Sequence, residues 1–279
     1  MMKKFCLLLL GVIVAIASTY AQPAFQVQKS GKGDPVIFLP GFTCPGSVWD
    51  ETIAHLNKNY ETHVISYAGF NGIAPIKMPW YETIKKEMTT YIQTNKLSNV
   101  RIVGHSMGGM LAIDLASELP GNIRSVVAVD ALPCLREIFM PGVPASSIGY
   151  ESPYNKQQLA AGPDAVKQMA TMIAAGMTVK KEKTDLLVKW MIDADRQTYV
   201  YGYTDLLKID LRESLTKVKA KTLVLGAPFP DPGVVSTNLE KQYANLNNKT
   251  IVLAENSRHF IMFDQPEWFY EKVNTFLAE

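Results

Sequence analysis

The sequence predicts an α/β protein, with a mostly parallel sheet, helices on both of its faces, and a helical insertion in the second half of the chain. Three observations carry this expectation. Short β-branched or apolar runs alternate with segments of helical period, the rhythm of a parallel sheet with crossover helices. Most of the runs are continuously apolar rather than alternating, as suits strands buried on both faces. The rhythm then breaks between about residues 133 and 215, where helix-like segments and prolines replace strands.

Taken in order, the chain opens with Lys3 and Lys4, an apolar run from Phe5 to Ala17, and a small-x-small exit at Thr19 and Ala21. That pattern reads as a cleavable export signal over residues 1–21, with Gln22 as the mature first residue and an uncleaved anchor as the alternative. Gly31 and Gly33 read as a hairpin turn. Val36–Leu39, His63–Tyr67, Val100–Val103, Val126–Val129, Thr222–Leu225 and Thr250–Leu253 read as strands. Trp80, Ile84, Met88 and Ile92 recur every four residues, as do Met107, Leu111, Leu115 and Leu119, so each set predicts a helix with one buried face. Pro266 opens a last helix whose buried side is Phe269, Val273, Phe276 and Leu277. Within the break, Val166, Met169, Ile173 and Met177 form one apolar stripe, and Leu186, Leu187, Trp190 and Met191 another. The domain organisation expected is a signal at 1–21 and one α/β domain at 22–279, with a helical cap inserted at about 135–212. The methionines of the insertion serve either as plain core or as an adaptable apolar pocket wall.

Composition narrows the function classes. The 279 residues are 47% hydrophobic and 19% charged, which excludes a disordered or low-complexity chain. Lys and Arg number 28 against 26 Asp and Glu, and Lys3 and Lys4 belong to the signal, so the chain from Gln22 onward is balanced. A balanced chain lacks the basic excess of a nucleic-acid binder and has no net field to gather a charged polymer. A small, largely uncharged and apolar substrate is expected as the partner. No histidine and carboxylate grouping has metal-ligand spacing, and no cofactor is expected. After the signal, Cys44 and Cys134 remain. Both follow strand-like runs, so in an oxidising compartment a Cys44–Cys134 disulfide is one expectation and two buried thiols the other.

The chemistry is concentrated in Gly104-His105-Ser106-Met107-Gly108, which fits G-x-S-x-G between a strand and a helix. A serine on such a turn sits in a strained backbone, and small residues two positions to either side leave it room. The helix that follows points its N-terminal N–H groups and positive dipole end at the serine. The serine needs a base. Of four histidines, His55 lies in the first helix, His63 begins a strand, His105 faces away from Ser106, and His259 follows the last strand. The remaining short patterns are discounted: Ser214-Leu215-Thr216-Lys217 lacks companion motifs, and Asn248-Lys249-Thr250 reads as a turn.

From about Phe25 to the C-terminus the chain resembles the α/β-hydrolase family. The resemblance rests on Leu39-Pro40-Gly41-Phe42, on Gly104 to Gly109, and on Ser257-Arg258-His259-Phe260 with Asp264-Gln265-Pro266-Glu267. In the family the first segment usually reads His-Gly, and Pro40 replaces that histidine here. The resemblance implies that Ser106 is the nucleophile, His259 the base, and the backbone N–H groups of Phe42 and Met107 the oxyanion donors. It leaves the acid open. Asp231 stands 28 residues before His259 but two positions beyond the family's usual place, while Asp130 ends the strand Val126–Val129, 24 residues after Ser106. Asp130 is preferred and Asp231 is the alternative. The expected protein is an exported serine hydrolase, secreted or periplasmic, acting on a carboxylic ester through an acyl-enzyme. Aminopeptidase, C–C hydrolase, cofactor-free peroxidase or a non-catalytic binding module are its competitors on the same fold.

Overall fold

The computed structural model describes residues 22–279, so the segment read as an export signal lies outside the described residues. The chain builds β1 (Phe25–Ser30), β2 (Asp34–Leu39), α1 (Asp50–Ala54), β3 (Tyr60–Tyr67), α2 (Trp80–Thr94), β4 (Val100–His105), α3 (Met107–Glu118) and β5 (Ile123–Val129). Five helices then intervene: α4 (Arg136–Phe139), α5 (Pro153–Ala160), α6 (Pro163–Met177), α7 (Lys181–Ile192) and α8 (Arg196–Lys208). The sheet resumes with β6 (Lys221–Gly226), α9 (Pro232–Gln242), β7 (Lys249–Leu253), α10 (Ile261–Asp264) and α11 (Pro266–Ala278). The seven strands lie in the order β1-β3-β2-β4-β5-β6-β7. All pairs are parallel except β1 with β3.

Side-chain alternation along the strands divides the core into two layers. Ile37, Leu39, Ile102, Val126 and Val224 face α2, α3 and α9, whereas Val36, Phe38, Val103, Val127 and Leu223 face Trp49 and α11. The four-residue stripe of α2 (Trp80, Ile84, Met88 and Ile92) is fully buried, as its spacing predicts. The cap is fastened to this core by a shared polar group. Asp205 of α8 accepts the Trp80 and Tyr81 N–H groups that open α2, at 2.7 and 3.3 Å. It thereby satisfies donors that no intrahelical carbonyl can reach.

The structure adds β1, corrects the hairpin reading of Gly31 and Gly33, and decides between the two cysteine alternatives. β1 has no counterpart among the strands that the sequence marks. It is an edge strand whose only buried residue is Phe25, so it presents no apolar run. Gly31 and Gly33 do adopt positive φ, but β1 and β2 are not a hairpin, because β3 lies between them. What requires glycine is the neighbouring backbone: a Cβ on Gly31 would stand 2.2 Å from the Tyr60 carbonyl oxygen. Cys44 and Cys134 are both buried free thiols. The Cys44 thiol donates to the Phe42 carbonyl, whereas the Cys134 backbone is held on both sides by the Gln242 amide. Among the described residues no helix is long and apolar enough to cross a membrane.

Candidate active site

The parallel strands present their carboxyl ends along one edge, where an open α/β sheet places its reactive groups. β4 is buried along its whole length and delivers Ser106 at φ 54° and ψ −120°, immediately before α3. A non-glycine residue at positive φ is strained, and the surroundings must hold it there. The Ser106 N–H donates to the Val129 carbonyl at 2.8 Å, which ties the turn to the neighbouring strand. The two glycines of the motif are required sterically. A Cβ on Gly104 would lie 2.3 Å from the Gly108 oxygen, and one on Gly108 would lie 2.3 Å from the Leu39 oxygen and 2.5 Å from that of Pro40.

Those last contacts also show how the loop after β2 reaches the serine. A Cβ on Gly41 would stand 3.4 Å from the Ser106 Cβ, so the loop passes directly over the turn. Phe42 follows, and its ring is wedged against Phe70 (4.9 Å between centroids), Trp80 (5.5 Å), and the cap residues Tyr199 (5.7 Å) and Tyr203 (5.9 Å). The turn is closed by the Cys44 N–H on the Gly41 carbonyl at 3.1 Å and braced by the Asn71 amide on the Thr43 carbonyl at 2.9 Å. Met107 is the first residue of α3, so its N–H has no intrahelical partner and lies at the positive end of the helix dipole.

His259 sits in the loop between β7 and α10, and Asp130 at the end of β5. Asp130 also has positive φ, 44°, and its N–H donates to the Leu225 carbonyl at 2.7 Å. One carboxylate oxygen accepts the Ala227 N–H at 2.8 Å, and the other lies 2.6 Å from His259 Nδ1. Because the carboxylate accepts, Nδ1 carries the proton and Nε2 keeps its lone pair. Asp231 is placed elsewhere: exposed at the N-terminus of α9, it accepts the Val234 N–H at 2.8 Å as a helix cap. Among the described residues no hydrogen bond joins the Ser106 hydroxyl to His259, a contact that often forms fully only with substrate bound.

His105 points away from Ser106 into the interior, as the turn predicts. Its Nε2 donates to the His259 carbonyl at 2.9 Å, and its Nδ1 has no partner. Burial, reinforced by the adjacent His259, holds this imidazole well below its ordinary titration range, so it is neutral. The ring packs 4.6 Å from both His259 and Phe260. His63 is unconnected with the site. It lies inside β3 between Tyr91 and Glu61, at 2.6 and 2.8 Å. Sequence reasoning assigned no role to Asp264, although it stands in the C-terminal signature. It is a buried carboxylate accepting the N–H of Arg258, the residue before His259, at 2.7 Å. No group of three or more His, Cys, Asp or Glu side chains among the described residues is arranged to hold a metal ion.

Known proteins match this architecture over nearly all of the described chain. The model of the alpha/beta hydrolase family matches residues 36–272. The pimeloyl-[acyl-carrier protein] methyl ester esterase of Aeromonas hydrophila is 22% identical over 267 residues, covering 91% of this chain and 99% of that protein. Among solved structures, an esterase from Exiguobacterium antarcticum superposes with a TM-score of 0.75 at 20% identity, over 91% of this chain and 96% of its own. The enol-lactonase of Burkholderia xenovorans does so with the same score at 15% identity and the same coverage. The sheet order, the strained serine turn and a match spanning most of the chain lead to one conclusion: this protein belongs to the alpha/beta hydrolase family and is an esterase-like hydrolase.

Proposed function

We propose that the protein hydrolyses carboxylic esters with a small, apolar, uncharged acyl or alcohol group, using Ser106, His259 and Asp130. The observation that carries this reading is the 2.6 Å hydrogen bond from His259 Nδ1 to Asp130, which leaves Nε2 free to act as base. In the forward step Nε2 takes the Ser106 proton while Oγ bonds to the ester carbonyl carbon. The carbonyl oxygen becomes an oxyanion held by the Phe42 and Met107 N–H groups, each worth about 10²–10³ in rate. Collapse expels the alkoxide, which receives the proton from His259, and leaves an acyl group on Ser106. Water, deprotonated by the same Nε2, then releases the acid. The relatives named as methyl ester esterases support the ester as the bond cleaved. The apolar faces of Phe42, Tyr199 and Tyr203 support an uncharged substrate. We further propose that the segment 1–21 exports the protein to the periplasm or the medium, where this hydrolysis would take place.

Fluorophosphonate labelling tests the chemistry. Wild-type protein is expected to label at Ser106, and Ser106→Ala to lose both the label and about 10⁶-fold in ester turnover. A folded wild-type protein that neither labels nor cleaves any member of a chain-length panel of nitrophenyl esters would overturn the reading in favour of a binding module. Turnover of aminoacyl-anilides in preference to the esters would move it to a peptidase.

A further inference from the structure

We propose that Thr178 and Asp264 are positioning residues that fix the His259 base to the cap, so that the cap governs the rate of acyl transfer and not only the entry of substrate. The inference rests on the proposed roles of Ser106 and His259. The loop carrying His259 is held from the core by His105 Nε2, which donates to the His259 carbonyl at 2.9 Å, and from the cap by a larger set of bonds. The N–H groups of the residues on either side of His259 are both committed to hydrogen bonds that lead to the cap. On one side the Arg258 N–H donates to Asp264 at 2.7 Å, and the other oxygen of that carboxylate accepts the Thr178 hydroxyl at 2.5 Å and the Val179 N–H at 3.0 Å. On the other side the Phe260 N–H donates to the Met177 carbonyl at 3.0 Å. The Arg258 guanidinium adds a third tie, to the Ala175 carbonyl at 2.5 Å.

All of these partners lie at the end of α6 or in its junction with α7. Thr178 and Asp264 are 4% and 5% exposed, so water competes poorly for their bond. Along its 15 residues α6 buries only Ala170 and Ala174, with Ile173 and Met177 half-buried, and it packs chiefly on the neighbouring cap helix α7. Substrate entering beneath the cap can therefore displace α6 at modest cost, and the junction would carry that displacement to the backbone on both sides of the base. A base whose Nε2 moves by a fraction of an ångström relative to Ser106 loses its near-attack geometry. The Asp130 bond acts on the ring and the His105 bond on the His259 carbonyl, so the N–H groups on either side are left to the cap.

The test uses the full chain, a nitrophenyl ester and the fluorophosphonate probe. Thr178→Val keeps the shape and removes the hydroxyl, Thr178→Ser restores it, and Thr171→Val serves as control, since Thr171 is an exposed α6 residue that bonds only the Lys167 carbonyl. Thr178→Val is expected to lower kcat and the maximal inactivation rate by about tenfold, the worth of one buried hydrogen bond, with KM within about twofold. Thr178→Ser should recover most of that loss, and Thr171→Val should match the wild type. Rates are compared well below each variant's melting temperature; if Thr178→Val does not fold, Thr178→Ala is read in its place. The proposal is overturned if the hydroxyl-deleted variant keeps its kcat, if Thr178→Ser loses as much, or if the change falls on KM alone. A wild-type protein inert to ester and probe would instead sink the hydrolase reading, which separates the two failures.

Discussion

In α3 every residue from Met107 to Ala116 is buried, whereas α6, which is longer, buries only Ala170 and Ala174. The first helix has no freedom to shift. Its N-terminus is pressed against the Leu39 and Pro40 carbonyls at Gly108, and sheet and neighbouring helices wrap it as far as Ala116. The second packs chiefly on the neighbouring cap helix α7, and its C-terminal end is hydrogen-bonded to the loop that carries His259. Local stability in a fold follows the density of buried contacts, so the two helices occupy opposite ends of that scale. Under the proposed mechanism this becomes a division of labour: the groups assigned to bond substrate stand on α3 and on the strand ends and loops beside it, while the cap helix α6 is more exposed. Each prediction below strains one side of that contrast, in order of expected size.

The two aspartates that the sequence could not separate give the largest effect. In Asp130→Asn the amide would donate to His259 Nδ1, which must then carry a lone pair. The proton is driven to Nε2, and the base cannot accept from Ser106. The expected loss in kcat is about 10³–10⁴. In Asp231→Asn the new side chain caps α9 as well as the old one, because Asn and Asp are equivalent caps, and turnover should stay within about twofold. Ester hydrolysis by both variants decides the matter. Equal losses would show that the strand-end position of Asp130 has no special role.

Next in size is a packing change at the elbow. Gly108→Ala would place a methyl group 2.3 Å from the Leu39 carbonyl oxygen, against backbone that cannot rotate away. Relief requires α3 or the loop carrying Phe42 to move. A destabilisation of about 3 kcal/mol is expected from overpacking of this severity, with a loss of turnover at temperatures where the protein is still folded. Thermal melting together with an activity assay checks both parts, and unchanged melting would mean that the elbow has slack.

A smaller, pH-dependent effect belongs to His105, which the elbow buries. The folded imidazole is held neutral well below its ordinary value of 6.5, whereas the unfolded one takes up a proton there. Below that value the unfolded state binds more protons, so stability is fully present above about pH 6.5 and falls as the pH drops through it, by at most about 1.4 kcal/mol per pH unit for one group. His105→Gln retains an N–H for the His259 carbonyl and removes the titration. Its melting temperature should therefore decline less steeply than that of the wild type between pH 7 and pH 5. His63, also buried and lowered, is common to both proteins and drops out of the difference. Parallel curves would show that His105 is not the sensor.

How much of this was legible in the sequence follows the same contrast. Apolar runs marked β2 to β6, which are largely buried, and β7, a half-buried edge strand that keeps the run Ile251-Val252-Leu253, whereas β1 escaped notice because it buries no residue after Phe25. Ser106 and His259 could be singled out because a strained turn and a post-strand loop leave local signatures. The choice between Asp130 and Asp231 could not, since a strand-end aspartate and a helix-capping aspartate look alike until the partner of each carboxylate is seen. The free thiols were equally hidden, because placing two cysteines after strands says nothing about the direction of either side chain. The bonds of Asp264 to Thr178 and Arg258 join residues 86 and 6 positions away, and no periodicity reports such pairing.

The smallest effect tests the loose side of the comparison. Gly176 lies in the last turn of α6, exposed, and a Cβ there would meet nothing within 4 Å. Its helical backbone suits alanine, and the substitution narrows the unfolded ensemble without adding a contact. Gly176→Ala is therefore expected to stabilise the protein by about 0.5 kcal/mol, a rise of about 1–2 °C in Tm. The same glycine-to-alanine change thus carries opposite signs at positions 108 and 176. The sign is set by whether the neighbouring backbone is packed against the glycine or open to solvent. A fall in Tm for Gly176→Ala would mean that α6 is packed as tightly as α3, and the distinction between a rigid elbow and a yielding cap would no longer hold.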